Sequence, residues 1–369
     1  MKIVTVVGAR PQFIKAAPVS RALREAGVDE FLVHTGQHYD YAMSQVIFNE
    51  LGLESPHLNL EVGSGPHGRQ TGRMLADLED VMRAQTPDCV IVYGDTNSTL
   101  AGALAAVKLQ IAVAHVEAGL RSHNRAMPEE HNRVLTDHCS DLLCCPTQTA
   151  VDNLAREGIT RGVHLVGDPM YDATLHFGAI ARRTSTVLRD LGLTSKGYVL
   201  ATVHRPYNTD QPSNLRSILA AFADLDEPVV FPVHPRTRQK LAELNGFFLM
   251  EAVGPNVRLI DPVGYLDMLC LEENARLILT DSGGVQKEAY FLQVPCVTLR
   301  PETEWVETVA AGWNVVVGAD RDRIVEVVRE RRWPSDATPG AFGDGQASRK
   351  IAACLASVSA GLQGEQIGC

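Results

Sequence analysis

With 369 residues, the chain has room for two domains, each long enough to bury its own core. Its 45% hydrophobic and 21% charged residues suit a soluble globular protein, and no apolar stretch approaches the length that spans a bilayer. A net charge of −10 argues against a general nucleic-acid or anionic-membrane binder, so an anionic ligand must be met by local charge and helix ends.

The sequence enters a strand at once, without the charged region and apolar core of a secretion signal, so a cytoplasmic protein is expected. The cysteines at 89, 139, 144, 145, 270, 296, 354 and 369 form no CxxC pair, and most lie inside apolar runs. They read as reduced core residues, with neither a disulfide framework nor a zinc site.

In chain order, Lys2–Gly8 is a continuous apolar strand, and Ala9–Lys15 turns from it into a helix reaching about Glu25. Phe31–His34 reads as a second strand ending in Thr35-Gly36-Gln37-His38. Asp88–Tyr93 is another, followed by Gly94-Asp95-Thr96-Asn97 and a small-residue helix from Thr99 to Leu109. Ile111–Glu117 leads into the loop Ala118–Arg121, and Pro128-Glu129-Glu130 opens a helix, where proline suits the first turn. Gly167-Asp168-Pro169-Met170 breaks the alternation and reads as the link between domains.

A second series begins at Tyr198–Val203, ending in His204-Arg205-Pro206-Tyr207-Asn208. It continues with Pro228–Phe231, then His234-Pro235-Arg236; Val257–Ile260, then Asp261; Leu277–Leu279; and Pro295–Thr298. A final helix runs from Ala347 to Val358. Strand and helix alternate in both halves, which predicts an α/β chain of two Rossmann-like domains: 1–168, 169–345, and a C-terminal helix and tail at 346–369 packing back on the first domain. In open α/β sheets ligands bind beyond the carboxyl ends of strands, where the polar residues of this chain keep falling.

Asp281-Ser282-Gly283-Gly284 joins a strand to a helix carrying Gln286, Lys287 and Glu288. Two readings stand: a glycine-rich turn with a serine cap, or a phosphate cradle formed by backbone amides and the positive helix end. In the second, Glu288 accepts hydrogen bonds from a ribose. Asp95, Glu117 and Glu129 stand just past strand ends or at a helix start, and His204 ends the first strand of the second half. Each has a structural alternative as a cap, a dipole partner or a buried histidine; together on one edge they suit acid–base chemistry. Arg10 and Lys15 offer positive charge to a diphosphate, or are a surface arginine and a helix-face lysine. His115-x-Glu117, His131 and His138 lack metal-ligand spacing, so no metal is expected. Gly63-Ser-Gly65-Pro-His-Gly68 spells GxGxxG, but the acid that follows, Asp88, begins a strand rather than ending one, and NAD is not expected.

The segments Gly8–Lys15, Gly94-Asp95-Thr96, His115–Arg121, Pro128–Arg133, Thr202–Arg205, Asp281–Glu288 and Gly343–Ala347 together resemble the non-hydrolysing UDP-N-acetylglucosamine 2-epimerases, in order from about residue 2 to residue 350. The resemblance implies a glycosyltransferase-B-like architecture, two Rossmann-like domains facing across a cleft that holds UDP. It implies removal of the C2 proton with expulsion of UDP, a 2-acetamidoglucal intermediate, and re-addition to give UDP-N-acetylmannosamine, with no cofactor. By position Asp95, Glu117, Glu129 and His204 match the catalytic groups, leaving open which acid removes the proton and which returns it. Arg10, His234, Ser282, Gly283, Gly284, Glu288 and Arg300 match UDP ligands; Lys15, Arg133 and Arg205 fall in matching substrate-side motifs. A homodimer and a role in cell-surface polysaccharide synthesis are implied as well.

Some members are activated by UDP-N-acetylglucosamine in a neighbouring pocket; Gln37 and His38 match it partly and Tyr39-Asp40 does not, so weak or absent activation is expected. Gln12 and Tyr207 stand where the family usually has glutamate. The start Ala-Arg-Pro-Gln, with His234–Arg238, Asp261–Tyr265 and Thr303–Glu307, looks closer to the subgroup acting on UDP-2,3-diacetamido-2,3-dideoxyglucuronic acid. A hydrolysing epimerase, a glycosyltransferase and a catalytically silent nucleotide-sugar binder are the competing readings.

Overall fold

A computed structural model describes residues 1–37, 48, 50–243, 254–334 and 340–365, with side chains as far as 356. It divides into two compact units, Met1–Leu175 with Gly340–Cys369, and His176–Pro339. The change of unit falls inside the helix Pro169–Thr184, C-terminal to the Gly167–Met170 break in the sequence pattern. That break is held within the first unit, where the Asp168 amide donates to the Phe342 carbonyl at 3.0 Å.

The first unit is built on a parallel sheet of seven described strands: β1 (Lys2–Val7), β2 (Asp29–His34), β3 (Leu58–Asn59), β4 (Cys89–Tyr93), β5 (Ala112–Val116), β6 (Leu142–Cys145) and β7 (Val163–Leu165). Their order is β3-β2-β1-β4-β5-β6-β7. β1 is covered on both faces, so it reads as an unbroken Ile/Val/Thr run rather than an alternating one. It pairs with β2 and β4, Val4 lying opposite Phe31 and Val90. The order reverses between β1 and β4, which makes the loops after these two strands the natural mouth of a binding crevice.

Helix His67–Gln85 packs against Asn97–Lys108, and that helix against Pro128–Cys139; Arg10–Glu25 packs against Ala347–Glu365. Small residues on Asn97–Lys108, among them Ala101, Gly102 and Ala105, allow close approach to the Val6 and Val92 side chains.

The second unit repeats the scheme with β8 (Val199–Thr202), β9 (Val229–Pro232), β10 (Val257–Ile260), β11 (Leu277–Thr280), β12 (Cys296–Thr298) and β13 (Asn314–Val316). All pairings are parallel and the order is β10-β9-β8-β11-β12-β13. Here the reversal lies between β8 and β11, whose carboxyl ends are joined by a 2.5 Å bond between the Thr202 and Thr280 hydroxyls. Phe222, Phe231, Leu215 and Leu279 centre its core.

The strands read from sequence agree with the observed ones to within about two residues. The reading has no counterpart for β3, β6, β7 or β13, which are only two to four residues long. The C-terminal helix starts on an anchor from the first unit: Asp172 accepts from the amides of Ala347 at 3.1 Å and Ser348 at 2.8 Å. Removing that acceptor strands two buried donors, which costs about 1–3 kcal/mol. Asp172→Ala should therefore lower the urea midpoint and speed amide exchange at Ala347 and Ser348, with Asp172→Asn retaining part of the protection. Unchanged exchange in the alanine variant would show that the helix is held by other contacts.

Candidate functional site

In the first unit the chemistry gathers where β4 and β5 end. Gly94 follows β4 with φ +63°, and a Cβ there would lie 3.1 Å from Glu117 Oε2 and 3.6 Å from Lys15 Nζ. Glu117 follows β5 with φ +73°, a left-handed conformation that costs a side-chain-bearing residue about 1–3 kcal/mol and tends to be kept at functional sites. Lys15, from helix Arg10–Glu25, forms an ion pair with the Glu117 carboxylate, and both residues are buried. In so little water the pair is strong electrostatically, and each charge depends on the other.

Asp95 is reached from helix Pro128–Cys139. Arg133 pairs with its carboxylate and with Glu130, while Asn132 Nδ2 donates to its carbonyl at 2.9 Å. Glu129, half-buried, precedes Asn132 and Arg133 by three and four positions and so shares their helix face. Its neighbour Glu130 serves the framework instead, accepting from the Ser122 amide and hydroxyl and the His123 amide, each at 2.9 Å. Burial alone would raise the Glu130 carboxyl; these bonds and the Arg133 charge outweigh it and hold it below its ordinary value.

Arg10 begins its helix and is partly exposed. Gln12 is wholly occupied: its Oε1 accepts from the Gly8 amide at 2.7 Å and the Ala9 amide at 3.1 Å, and its Nε2 donates to the Tyr93 carbonyl at 2.7 Å. It ties the β1 and β4 turns together. Gln37 is likewise engaged, its Oε1 accepting from the Ser98 amide at 3.0 Å and hydroxyl at 2.6 Å. His38, Tyr39 and Asp40 lie outside the described residues.

In the second unit Asp281, fully buried at the end of β11, accepts from the amides of His204 and Arg205 at 3.0 Å and from Asn208 Nδ2 at 3.0 Å. It thereby fixes the turn after β8. The His204 ring stands 5.5 Å from the exposed His234 ring, with Nδ1 3.6 Å from Asp281. Ser282 caps helix Gly283–Phe291, its hydroxyl accepting from the Val285 amide at 3.4 Å. The capping half of the sequence reading is thus present.

A Cβ on Gly283 would come within 2.7 Å of Glu304 Oε1 and 3.3 Å of Trp305 Nε1. Glu304 pairs with buried Arg300 at 3.0 Å, and Lys287 Nζ lies 4.1 Å from the centre of the Trp305 ring. Gln286 bridges to Thr303 at 2.6 Å and Asn314 at 3.2 Å. Glu288, in the same helix, is buried, and Arg205 and Gly284 are partly exposed.

The structure thus brings Lys15, Gly94 and Glu117 together, joins Asp95 to Arg133, and groups His204, His234, Ser282 and Gly283 around the β8 and β11 ends. Asp281 and Glu304 were legible only as members of motifs, without a partner; Gln12, Glu130 and Asn208 act through contacts that spacing does not report. Among the described residues no cluster of His, Cys, Asp and Glu side chains is arranged to hold a metal, and no helix is long and apolar enough to cross a membrane.

The family model described as UDP-N-acetylglucosamine 2-epimerase matches residues 21–356. A UDP-N-acetylglucosamine 2-epimerase homolog of Methanococcus maripaludis is 54% identical over 356 residues, covering 96% of this chain and 99% of the relative. The UDP-2,3-diacetamido-2,3-dideoxy-D-glucuronate 2-epimerase of Pseudomonas aeruginosa is 51% identical over 367 residues, covering 97% and 100%. The crystal structure of Methanocaldococcus jannaschii UDP-GlcNAc 2-epimerase, in complex with UDP-GlcNAc and UDP, matches at a TM-score of 0.89 and 44% identity, covering 97% of this chain and 100% of that one.

The Glu130 bonds give a pH prediction. Because its folded value lies below the ordinary one, its stabilisation is complete above about pH 4.3 and is lost as pH falls through the lowered value. Glu130→Gln should be less stable than wild type to urea at neutral pH, and the gap should shrink below about pH 4. A gap that stays constant with pH would mean that the Glu130 charge does not hold the Ser122–His123 loop.

Proposed function

The chain belongs to the UDP-N-acetylglucosamine 2-epimerase family, a family of isomerases, and on that premise we propose that it interconverts UDP-N-acetylglucosamine and UDP-N-acetylmannosamine without hydrolysis. In the forward direction a carboxylate takes the proton from C2, the electron pair forms the C1–C2 double bond, and the C1–oxygen bond to UDP breaks in an anti-elimination. Re-addition of UDP at C1 and delivery of a proton to the opposite face of C2 complete the inversion. The anomeric diphosphate is the leaving group, so the balance needs no electron acceptor.

The observation that carries this reading is Glu117 itself: a buried carboxylate in a left-handed backbone conformation, paired with Lys15 beside the Gly94 turn. Strain of that kind is retained where a side chain has to be aimed. Asp95 and Glu129 are the further candidates for proton traffic in this unit. In the second unit His204 is the candidate acid–base histidine. Arg10, Arg205, His234, Ser282, Gly283, Gly284 and Arg300 would serve the diphosphate or sugar, and Glu288 the ribose. The start of helix Gly283–Phe291 suits an anion through its amides and dipole. Exclusion of water from the glucal and UDP would keep the intermediate from being lost.

A second reading has an observation of its own. Tyr207, 46% exposed beside His204 and Arg205, replaces the glutamate usual at this position. Loss of that negative charge suits a sugar bearing a carboxylate, and the Pseudomonas aeruginosa relative supports the same direction. UDP-2,3-diacetamido-2,3-dideoxyglucuronate would then be epimerised by the same steps. Internal engagement of Gln37 supports weak or absent activation by a second UDP-N-acetylglucosamine. A cytoplasmic homodimer supplying cell-surface polysaccharide rests on the family resemblance.

Both sugars should be incubated in deuterated water and followed at C2 by NMR. Deuterium at C2 with the UDP linkage retained is the expected result; no exchange in either sugar, release of the free sugar, or transfer only when an acceptor is added would overturn the epimerase reading. Glu117→Gln should reduce exchange by about 10²–10⁴-fold with UDP affinity within a few-fold, while Glu288→Ala should mainly weaken UDP. Tyr207→Glu should lower kcat/KM for the uronate more than for UDP-N-acetylglucosamine; an equal effect on both would remove Tyr207 from sugar selection.

A further inference from the structure

Behind Glu117 lies a set of charges, centred on buried His115 and Asp137, that the proposed proton transfers do not use. His115, on β5, is fully buried, with Nδ1 2.7 Å from Asp137 Oδ1 and Nε2 2.7 Å from the Gly94 carbonyl oxygen. A carbonyl can only accept, so Nε2 carries a proton. Asp137 also accepts from Arg121 Nη1 at 2.7 Å and from the Gly119 amide at 3.1 Å, bonds that favour an ionised carboxylate. An ionised carboxylate can only accept as well, so Nδ1 carries a proton too. With a single ring proton, one of the two 2.7 Å contacts would set lone pair against lone pair.

The charges balance. Arg121 grips both oxygens of Glu157 at 2.7 Å, so the set holds two cationic and two anionic groups, and a neutral His115 would leave one negative charge unmatched. The Asp137 carboxyl is held low: burial would raise it, but the bonds and charges of His115 and Arg121 outweigh that. The other titratable groups around the set are His138 on helix Pro128–Cys139, 3.5 Å from Glu157, and the Cys144 and Cys145 thiols of β6, both pushed up by burial and so neutral.

We propose that His115 is a buried imidazolium that acts, with Asp137, as a positioning device for Glu117. The Gly94 peptide is fixed to β5 from both sides, its amide donating to the Val116 carbonyl at 2.9 Å and its carbonyl accepting from His115. Past Glu117, the Gly119 amide is fixed to Asp137. Gly119 has φ +81°, and a Cβ there would fall 2.4 Å from the Ala150 carbonyl oxygen, so the chain has no room to relax on that side. The strained Glu117 is therefore bracketed by two peptides linked through the His115–Asp137 pair. Its role as a catalytic support rests on the epimerase reading; the protonation state does not.

The test has two independent arms. In full-length protein with 15N-labelled histidine, one ring should show a proton on both nitrogens at neutral pH. Asp137→Asn, whose amide can donate to Nδ1, should convert that ring to a single proton. A wild-type ring with one proton at neutral pH would overturn the proposal. In the second arm, His115→Gln and Asp137→Asn should lower kcat for C2 exchange by about 10–100-fold while KM stays within about threefold, as expected for a misplaced group. Unchanged kcat in a folded variant would overturn the positioning role. Absence of exchange in wild type would sink the epimerase reading instead, and the ring-proton result would still stand or fall by itself.

Discussion

The ion pair between Lys15 and Glu117 is the contact around which the first unit's polar architecture is arranged. Removing two charges from water costs several kcal/mol per ion, and a pair stripped of one partner loses about 3–5 kcal/mol because the other charge is left buried alone. The fold therefore has to bring Lys15, from the helix after β1, and Glu117, from the turn after β5, to one point and keep them there. The reversal of strand order between β1 and β4 makes this possible, since it opens the sheet edge between the two groups. Gly94 completes the arrangement by presenting no side chain where the pair sits.

A shared device supports the polar loops of both units. In each, a fully buried aspartate collects donors from around a strand end: Asp137 takes Gly119, Arg121 and His115, and Asp281 takes His204, Arg205 and Asn208. An ionised carboxylate accepting several bonds holds a loop more firmly than neutral acceptors do, because each bond is charge-assisted. The arrangement also separates tasks. Asp137 and Asp281 hold the frame from within, while Asp95, Glu129 and His204 retain exposure at its edge.

Most of the strand framework was legible because parallel strands covered on both faces are written as unbroken apolar runs, and the carboxyl-end rule then pointed to Asp95, Glu117 and His204. Short strands such as Leu142–Cys145 were not legible, because a four-residue apolar run has no period of its own. The supports of the site escaped for a different reason. Gln12 meets Tyr93 across 81 residues, Asp281 meets His204 across 77, and Arg133 meets Asp95 across 38. No local spacing encodes such partners. Gln12 shows the consequence most clearly: from sequence it was a glutamine where the family usually has glutamate, and in the fold it is a brace between two turns.

Electrostatics constrains how an anionic ligand can be held by a chain of net charge −10. Several of the cations at the candidate sites are already matched: Lys15 by Glu117, Arg133 by Asp95 and Glu130, and Arg300 by Glu304. A diphosphate cannot draw on those charges without displacing a carboxylate, and a displaced carboxylate close by would repel it. The backbone amides and dipole at the start of helix Gly283–Phe291 are suited to provide a fixed part of the attraction, although the Glu304 carboxylate stands beside Gly283. The Arg300–Glu304 pair beside Gly283 is suited to the adjustable part, because a small shift of Glu304 would return the guanidinium to an incoming phosphate. On the proposed elimination and re-addition, such an exchange would keep affinity for the leaving diphosphate moderate.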